Sequence, residues 1–233
     1  MRSHVKNYLF IFLLFLVSQF FNHSVVADFR QGVIAYSKKD YATAIKEYTK
    51  AAEKGDVKAQ FNLGQMYNKG IGTAQNYSEA MKWFRKAADQ GDPYAQLNLG
   101  GLYDNGHGVP KDHVEAVKWY TKSAEQGHPT AQYNLGIMHM QGYGVEKNLS
   151  VAAHWCQKAA EQGDVRAQYN LGLMYLKGKG VQQSMVTAHM WLSLASNDPN
   201  SHIYKDAVDS RNAVLSRMSP VELAESQRLV DSW

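Results

Sequence analysis

The sequence lacks features that several classes of protein depend on. Its 233 residues include one cysteine, Cys156, so no disulfide within the chain can stabilise the fold. The 25 Lys and Arg residues nearly balance the 21 Asp and Glu residues, which leaves a net charge of +4. This charge provides no strongly basic surface, and no nucleic-acid partner is expected. The fold must therefore be held together by the packing of its side chains.

Long hydrophobic runs are also scarce, and the one that exists lies near the start. Residues 8–21 (YLFIFLLFLVSQFF) follow the basic residues Arg2 and Lys6 and precede the small residues VVA at 25–27. This layout is typical of a secretory signal peptide. An uncleaved anchor is the alternative, but a membrane span needs about 20 apolar residues. We expect cleavage after Ala27 and a periplasmic or secreted chain that does not span the membrane.

Glycine, by contrast, recurs in a regular pattern. The segments LGQMYNKGIG, LGGLYDNGHG, LGIMHMQGYG and LGLMYLKGKG begin at a constant step of 36 residues, at Leu63, Leu99, Leu135 and Leu171. A single G-x-G can belong to a phosphate-binding loop, which follows a strand and opens a helix. Four copies, each after a helical pattern, indicate a connector between helices instead. No nucleotide or other cofactor is expected.

Each repeat is predicted to be a pair of antiparallel helices. The first helix spans about 57–69, with Asp56 as its N-cap, and the second helix begins after Asn76. Glu79 and Glu115 stand three residues after a cap, which predicts capping boxes. A helical hairpin cannot bury its apolar face alone, and stacked neighbours bury it for each other. The pattern predicts an all-α, right-handed solenoid of stacked hairpins, with tryptophans at the same step in its core: Trp83, Trp119, Trp155 and Trp191.

The motif A-x-x-x-L-G-x-x-Y-x-x-G-x-G, followed by A-x-x-W, resembles the Sel1-like repeat, a relative of the tetratricopeptide repeat. The resemblance covers 57–199 in four copies. Residues 28–56 lack the G-x-G segment and resemble a plain tetratricopeptide hairpin, and 200–233 are interpreted as capping helices. The resemblance implies a monomeric, non-catalytic bacterial scaffold that binds a protein or peptide through its concave face. It also implies partners in the cell envelope or in a host.

An enzyme is the alternative that the resemblance leaves open. Cysteine-rich relatives with this repeat have been linked to β-lactam binding or hydrolysis, but they contain paired cysteines in each repeat. Cys156 is the only cysteine here, and it occupies the position of Phe84, Tyr120 and Leu192 in the other repeats. This position predicts a core residue. The histidines show no spacing typical of metal ligands, so we expect neither a catalytic residue nor a metal site.

A recurring asparagine is the strongest candidate for a binding residue. Asparagine is unfavourable inside a helix, yet one stands at the same place in every repeat, beside a sector of aromatic, amide and positive side chains. The resemblance implies that such residues bind a peptide backbone. A role in joining adjacent repeats is the alternative. The predicted groove residues are Asn62, Asn98, Asn134, Asn170, Phe61, Tyr133, Tyr169, Gln65 and Lys69.

Overall fold

A computed structural model describes residues 25–233, in which helices are joined by turns and no strand occurs. Except for residues 25–27, the predicted signal peptide lies outside this part of the chain. None of the helices in 25–233 has the length and apolar character that a membrane span requires. The helices are α1 (25–37), α2 (Tyr41–Glu53), α3 (Val57–Lys69), α4 (Tyr77–Asp89), α5 (Pro93–Asn105), α6 (His113–Glu125), α7 (Pro129–Gln141), α8 (Leu149–Glu161), α9 (Val165–Lys177), α10 (Met185–Ala195), α11 (Tyr204–Leu215) and α12 (Pro220–Asp231).

The chain divides into two compact units. Of the described residues, unit 1 contains 25–102 and 107–109, and unit 2 contains Tyr103–Gly106 and Pro110–Trp233. In unit 1, α3 packs against both α2 and α4; in unit 2, each helix from α7 to α9 packs against its neighbours on both sides along the chain. Both units are thus stacks of helical hairpins, which confirms the predicted all-α solenoid.

The helix starts follow the predicted N-caps, but two predicted capping boxes do not form. Asp56 accepts a hydrogen bond from the backbone of Ala59, and Asn76 accepts one from Glu79. The predicted capping boxes of α4 and α6 are wrong, because the Glu79 and Glu115 side chains form ion pairs with lysines one turn further on. A complete capping box does form in α12, between Ser219 and Glu222.

The glycines of the loops serve two structural purposes. The first glycine of each G-x-G, such as Gly142 with φ +80°, ends a helix in the left-handed region. The second lies against the preceding hairpin: a Cβ on Gly144 would stand 2.3 Å from the carbonyl oxygen of His113. The loops therefore form a tight contact between hairpins, as a connector should.

The core consists of the recurring apolar positions. Cys156 is fully buried, and burial raises the pKa of its thiol to about 12, with a further increase from the nearby Asp164 carboxylate. The thiol is therefore protonated at neutral pH, which confirms the interpretation of Cys156 as a core residue. Trp83, Trp119 and Trp191 are buried, but Trp155 is partly exposed, so the prediction of four core tryptophans holds for three of them.

The end of the chain departs from the repeat. α11 and α12 each pack against α10, so they cap one helix and do not continue the hairpin pattern. A buried hydrogen bond of 2.9 Å joins His189 Nδ1 on α10 to the Ser226 hydroxyl on α12. Burial lowers the pKa of His189, and the charge of Arg211 lowers it further. The final helix is thus attached through a buried polar pair.

Candidate functional site

The four recurring asparagines are partly buried, and their partners differ between repeats. Asn62 interacts with the hydroxyl of Tyr48, and this interaction opposes the increase in tyrosine pKa that burial causes. Asn134 forms the same contact with Tyr120, and Asn170 contacts the hydroxyl of Tyr133. Asn98 instead donates to the Tyr94 carbonyl of its own helix, at 2.7 Å. Three of the asparagines therefore contact the preceding hairpin through a tyrosine hydroxyl.

These contacts predict unequal effects of replacing the asparagines. Asn134→Ala removes a partner from the buried Tyr120 hydroxyl, so we expect the free energy of unfolding to fall by about 1–2 kcal/mol. Asn98→Ala removes only a local bond within one helix and should cost less than about 0.5 kcal/mol. Urea unfolding of the two variants measures the difference. Equal losses would show that the tyrosine contact does not stabilise the stack.

A series of glutamines, which the sequence analysis did not single out, joins successive hairpins. Gln60, Gln96, Gln132 and Gln168 are buried, and each donates to a carbonyl at the end of the preceding hairpin, at 3.0–3.2 Å. Gln162 adds a second bond, from its Nε2 to Gln132 Oε1 at 2.8 Å. The signal in the sequence was that a glutamine recurs at a strict step of 36 residues, each time directly after a core alanine. Each of these glutamines therefore adds a buried polar contact to the apolar packing between successive hairpins.

Unit 1 contains a pocket of about 280 Å³ on the face of α3. Three predicted site residues, Asn62, Gln65 and Lys69, line this pocket together with Tyr36, Tyr48, Met66 and Ile71. The side-chain oxygen of Gln65 is buried and has no hydrogen-bond partner among the described residues. A buried acceptor without a partner costs about 1–3 kcal/mol, so this atom is suited to an incoming N–H donor.

Unit 2 contains a pocket of about 270 Å³ on the face of α7. Two predicted site residues, Tyr133 and Asn134, line it together with Asp104, Asn105, Lys111, His113, Ile137, Met138 and Tyr143. Asn134 and Met138 occupy the repeat positions of Asn62 and Met66, so the two pockets form at the same place in different repeats.

An ionisable pair lies in the pocket of unit 2. The Asp104 carboxylate lies 2.8 Å from His113 Nδ1 and 3.5 Å from the Tyr120 hydroxyl. Burial raises the pKa of Tyr120 far above its ordinary value, and the Asp104 charge raises it further. The hydroxyl therefore stays protonated and can donate to the carboxylate. The His113 ring stacks on Tyr143, with 5.0 Å between ring centres.

The predicted aromatic site residues are all partly buried. Phe61 packs against Phe84 and Tyr94, with ring centres 5.9 and 6.1 Å away. Arg166 lies 4.3 Å above the Tyr133 ring. Asn98, Asn170, Phe61 and Tyr169 line neither pocket. Within residues 25–233, no cluster of three His, Cys, Asp or Glu side chains could hold a metal.

Comparison with known proteins agrees with the repeated helical hairpins. The Sel1 repeat model matches residues 30–56, 57–92, 93–128, 129–164 and 165–200, which include the opening hairpin. No curated protein matches the chain significantly.

Two crystal structures are similar over most of the chain. A protective antigen of uropathogenic Escherichia coli is 36% identical over 89% of the chain, with a TM-score of 0.79, and the chain covers 45% of that antigen's length. A Sel1 repeat protein from Oxalobacter formigenes is 32% identical over 86% of the chain and 84% of its own length, with a TM-score of 0.71. With five matched repeats and these neighbours, the chain belongs to the Sel1 repeat family.

Proposed function

We propose that this protein is a non-catalytic scaffold that binds an extended segment of a partner protein along the first helices of its hairpins. The proposal rests chiefly on Gln65. In the pocket of unit 1, the buried side-chain oxygen of this residue has no hydrogen-bond partner among the described residues. A peptide backbone presents N–H donors along its whole length. A backbone N–H at this point would satisfy the oxygen. Repeats of this family commonly mediate protein binding.

The size of the pockets and their recurrence at one repeat position support a peptide ligand. Pockets for small molecules usually have volumes of about 300–1,000 Å³. The pockets of about 280 and 270 Å³ fall just below that range. They form at the same repeat position, beside an asparagine whose amide can both donate and accept. Cavities of this kind suit single side chains of an extended chain, held beside groups that bind its backbone.

The proposed location is the bacterial periplasm or the outside of the cell. The support is the layout of residues 1–27, which resembles a signal peptide. The similar Escherichia coli protein is a protective antigen of uropathogenic strains. We therefore propose envelope or host proteins as the class of partner, with cleavage after Ala27.

Replacement of Gln65 by methionine tests the proposal through two opposite effects. The variant removes the unsatisfied oxygen at similar volume, so the free energy of unfolding should rise by about 1 kcal/mol. Binding of an extended peptide should weaken by about five- to ten-fold, because the acceptor for its backbone N–H is lost. Urea unfolding and titration with peptides selected from a random display library measure the two quantities.

The matched control is Leu173→Met, at the same repeat position in α9, where the side chain lines neither pocket. This variant changes one apolar side chain for another of similar volume, so neither stability nor affinity should change by more than a small amount. A Gln65→Met variant that is more stable and binds as tightly as the wild type would remove Gln65 from the site. Failure of every library peptide to bind would contradict the peptide-binding function.

A further inference from the structure

The pocket of unit 2 contains a carboxylate that the repeat itself does not require. At the position of Asp104, the other repeats have Asn68, Met140 and Leu176, and the opening hairpin has Tyr36. Neutral and apolar side chains therefore satisfy the fold at this position. The side chain of Asp104 is only 29% exposed, and partial burial of a charge is unfavourable unless a partner compensates it.

The neighbours of Asp104 hold the carboxylate in place. His113 Nδ1 lies 2.8 Å from the carboxylate, and the buried Tyr120 hydroxyl lies 3.5 Å away. Of the residues that line the pocket, only Lys111 has a permanent positive charge, and this lysine is exposed. Its ammonium group can remain in water at the end of a flexible stem.

The rest of the pocket suits the stem of a long side chain. Ile137 and Met138 provide apolar surface, and the Tyr143 ring, fixed by stacking on His113, provides more. A lysine or arginine side chain has an apolar stem, which matches the apolar lining, and a charged head, which matches the carboxylate. A hydrogen bond between such a head and a carboxylate is stronger than a bond between neutral groups.

We propose that the unit 2 pocket binds a lysine or arginine side chain of the partner polypeptide, with Asp104 as the group that selects the positive charge. The inference rests on the proposed peptide-binding function and adds to it the chemistry of one side chain. The equivalent pocket in unit 1 has Tyr36 in place of Asp104, so it has no such preference.

The two methionines at equivalent pocket positions provide the test. The purified protein, labelled at its methionine methyl groups, is titrated at millimolar concentration with acetyl-Ala-Ala-X-Ala-Ala-amide, where X is lysine, norleucine or glutamate. The NMR signals of Met138 and Met66 report on unit 2 and unit 1 respectively. We expect the lysine peptide to shift the Met138 signal with an affinity about ten-fold higher than the norleucine peptide. At Met66, where Lys69 lines the pocket, the lysine peptide should bind no more tightly than the norleucine peptide.

Two variants separate the charge from the shape of the pocket. Asp104→Asn keeps the size of the side chain and an acceptor oxygen, and it should abolish the ten-fold preference at Met138. Lys111→Ala removes a competing positive charge, and it should tighten lysine binding at Met138 while norleucine binding is unchanged.

The possible failures are distinguishable. Equal affinity of lysine and norleucine peptides at Met138, or a preference that survives Asp104→Asn, would overturn the inference and leave peptide binding intact. Absence of any shift at both methionines, with every peptide, would contradict the proposed function and the inference together.

Discussion

Replacement of Gly180 by alanine is expected to destabilise unit 2 by about 2–5 kcal/mol. Gly180 is the second glycine of its G-x-G segment and has a φ of +75°. A Cβ there would lie 2.1 Å from the carbonyl oxygen of Leu149 at the start of α8. The backbone of a helix terminus cannot move as a flexible side chain can. The α8 end and the loop must therefore separate, with loss of the contact between hairpins.

The matched control for Gly180 is Gly163→Ala. Gly163 also has a positive φ, of +84°, but no atom lies within 4 Å of the position that its Cβ would occupy. This variant should show only the conformational penalty of an alanine at positive φ, about 1 kcal/mol. Urea unfolding followed by circular dichroism gives both values. Similar losses in the two variants would mean that the second glycine is required for its φ alone and not for close contact.

Replacement of Trp191 by alanine is expected to lower the free energy of unfolding by about 3–5 kcal/mol. Trp191 is 4% exposed and packs in the core of unit 2 with Leu171, Met190 and alanines of α8 and α9. Its ring centre lies 5.1 Å from that of Trp233, so the substitution also removes an aromatic contact near the end of the chain. The cavity left behind is too large for the neighbouring helices to fill.

The same substitution at Trp155 should lower the free energy of unfolding much less, by about 1–2 kcal/mol. Trp155 occupies the same repeat position, but it is partly exposed, with Lys158 Nζ 5.2 Å from its ring centre. Water already reaches part of this ring, so its removal leaves a smaller cavity. Thermal and urea unfolding of the two variants test the ranking. A larger loss for Trp155→Ala would show that repeat position, and not burial, sets the importance of a tryptophan.

Much of the fold was predictable because its determinants are local in the chain. Helix starts followed short polar caps such as Asn76, and helix ends followed glycines with positive φ such as Gly142. The burial of Cys156 followed from the large apolar residues at its repeat position. The predicted capping boxes do not form for a local reason as well. Glu79 can reach either its N-cap or Lys82, and it forms an ion pair with Lys82.

The candidate site was less predictable because it depends on contacts between repeats. The sequence indicated that Asn134 lies at the edge of the core, but not that the Tyr120 hydroxyl would be its partner. The contact depends on the residue 14 positions earlier, which is a tyrosine before Asn62 and Asn134, a phenylalanine before Asn98 and a cysteine before Asn170. Likewise, Asp104 and His113 are 9 positions apart in the sequence, and their side chains come within 2.8 Å only in the folded chain.

The sequence by itself determined the repeat, its helices, their limits and the solenoid class, because the periodic placement of apolar, capping and glycine residues acts within each 36-residue unit. Only the tertiary structure decided which polar groups join the hairpins and which face an open pocket. Gln132 and Gln65 are both helical amides, yet the first is satisfied by a neighbouring carbonyl and the second has a buried oxygen without a partner. The hydrogen bonds of a side chain depend on the packing of the next hairpin, and that packing is fixed only when the units stack.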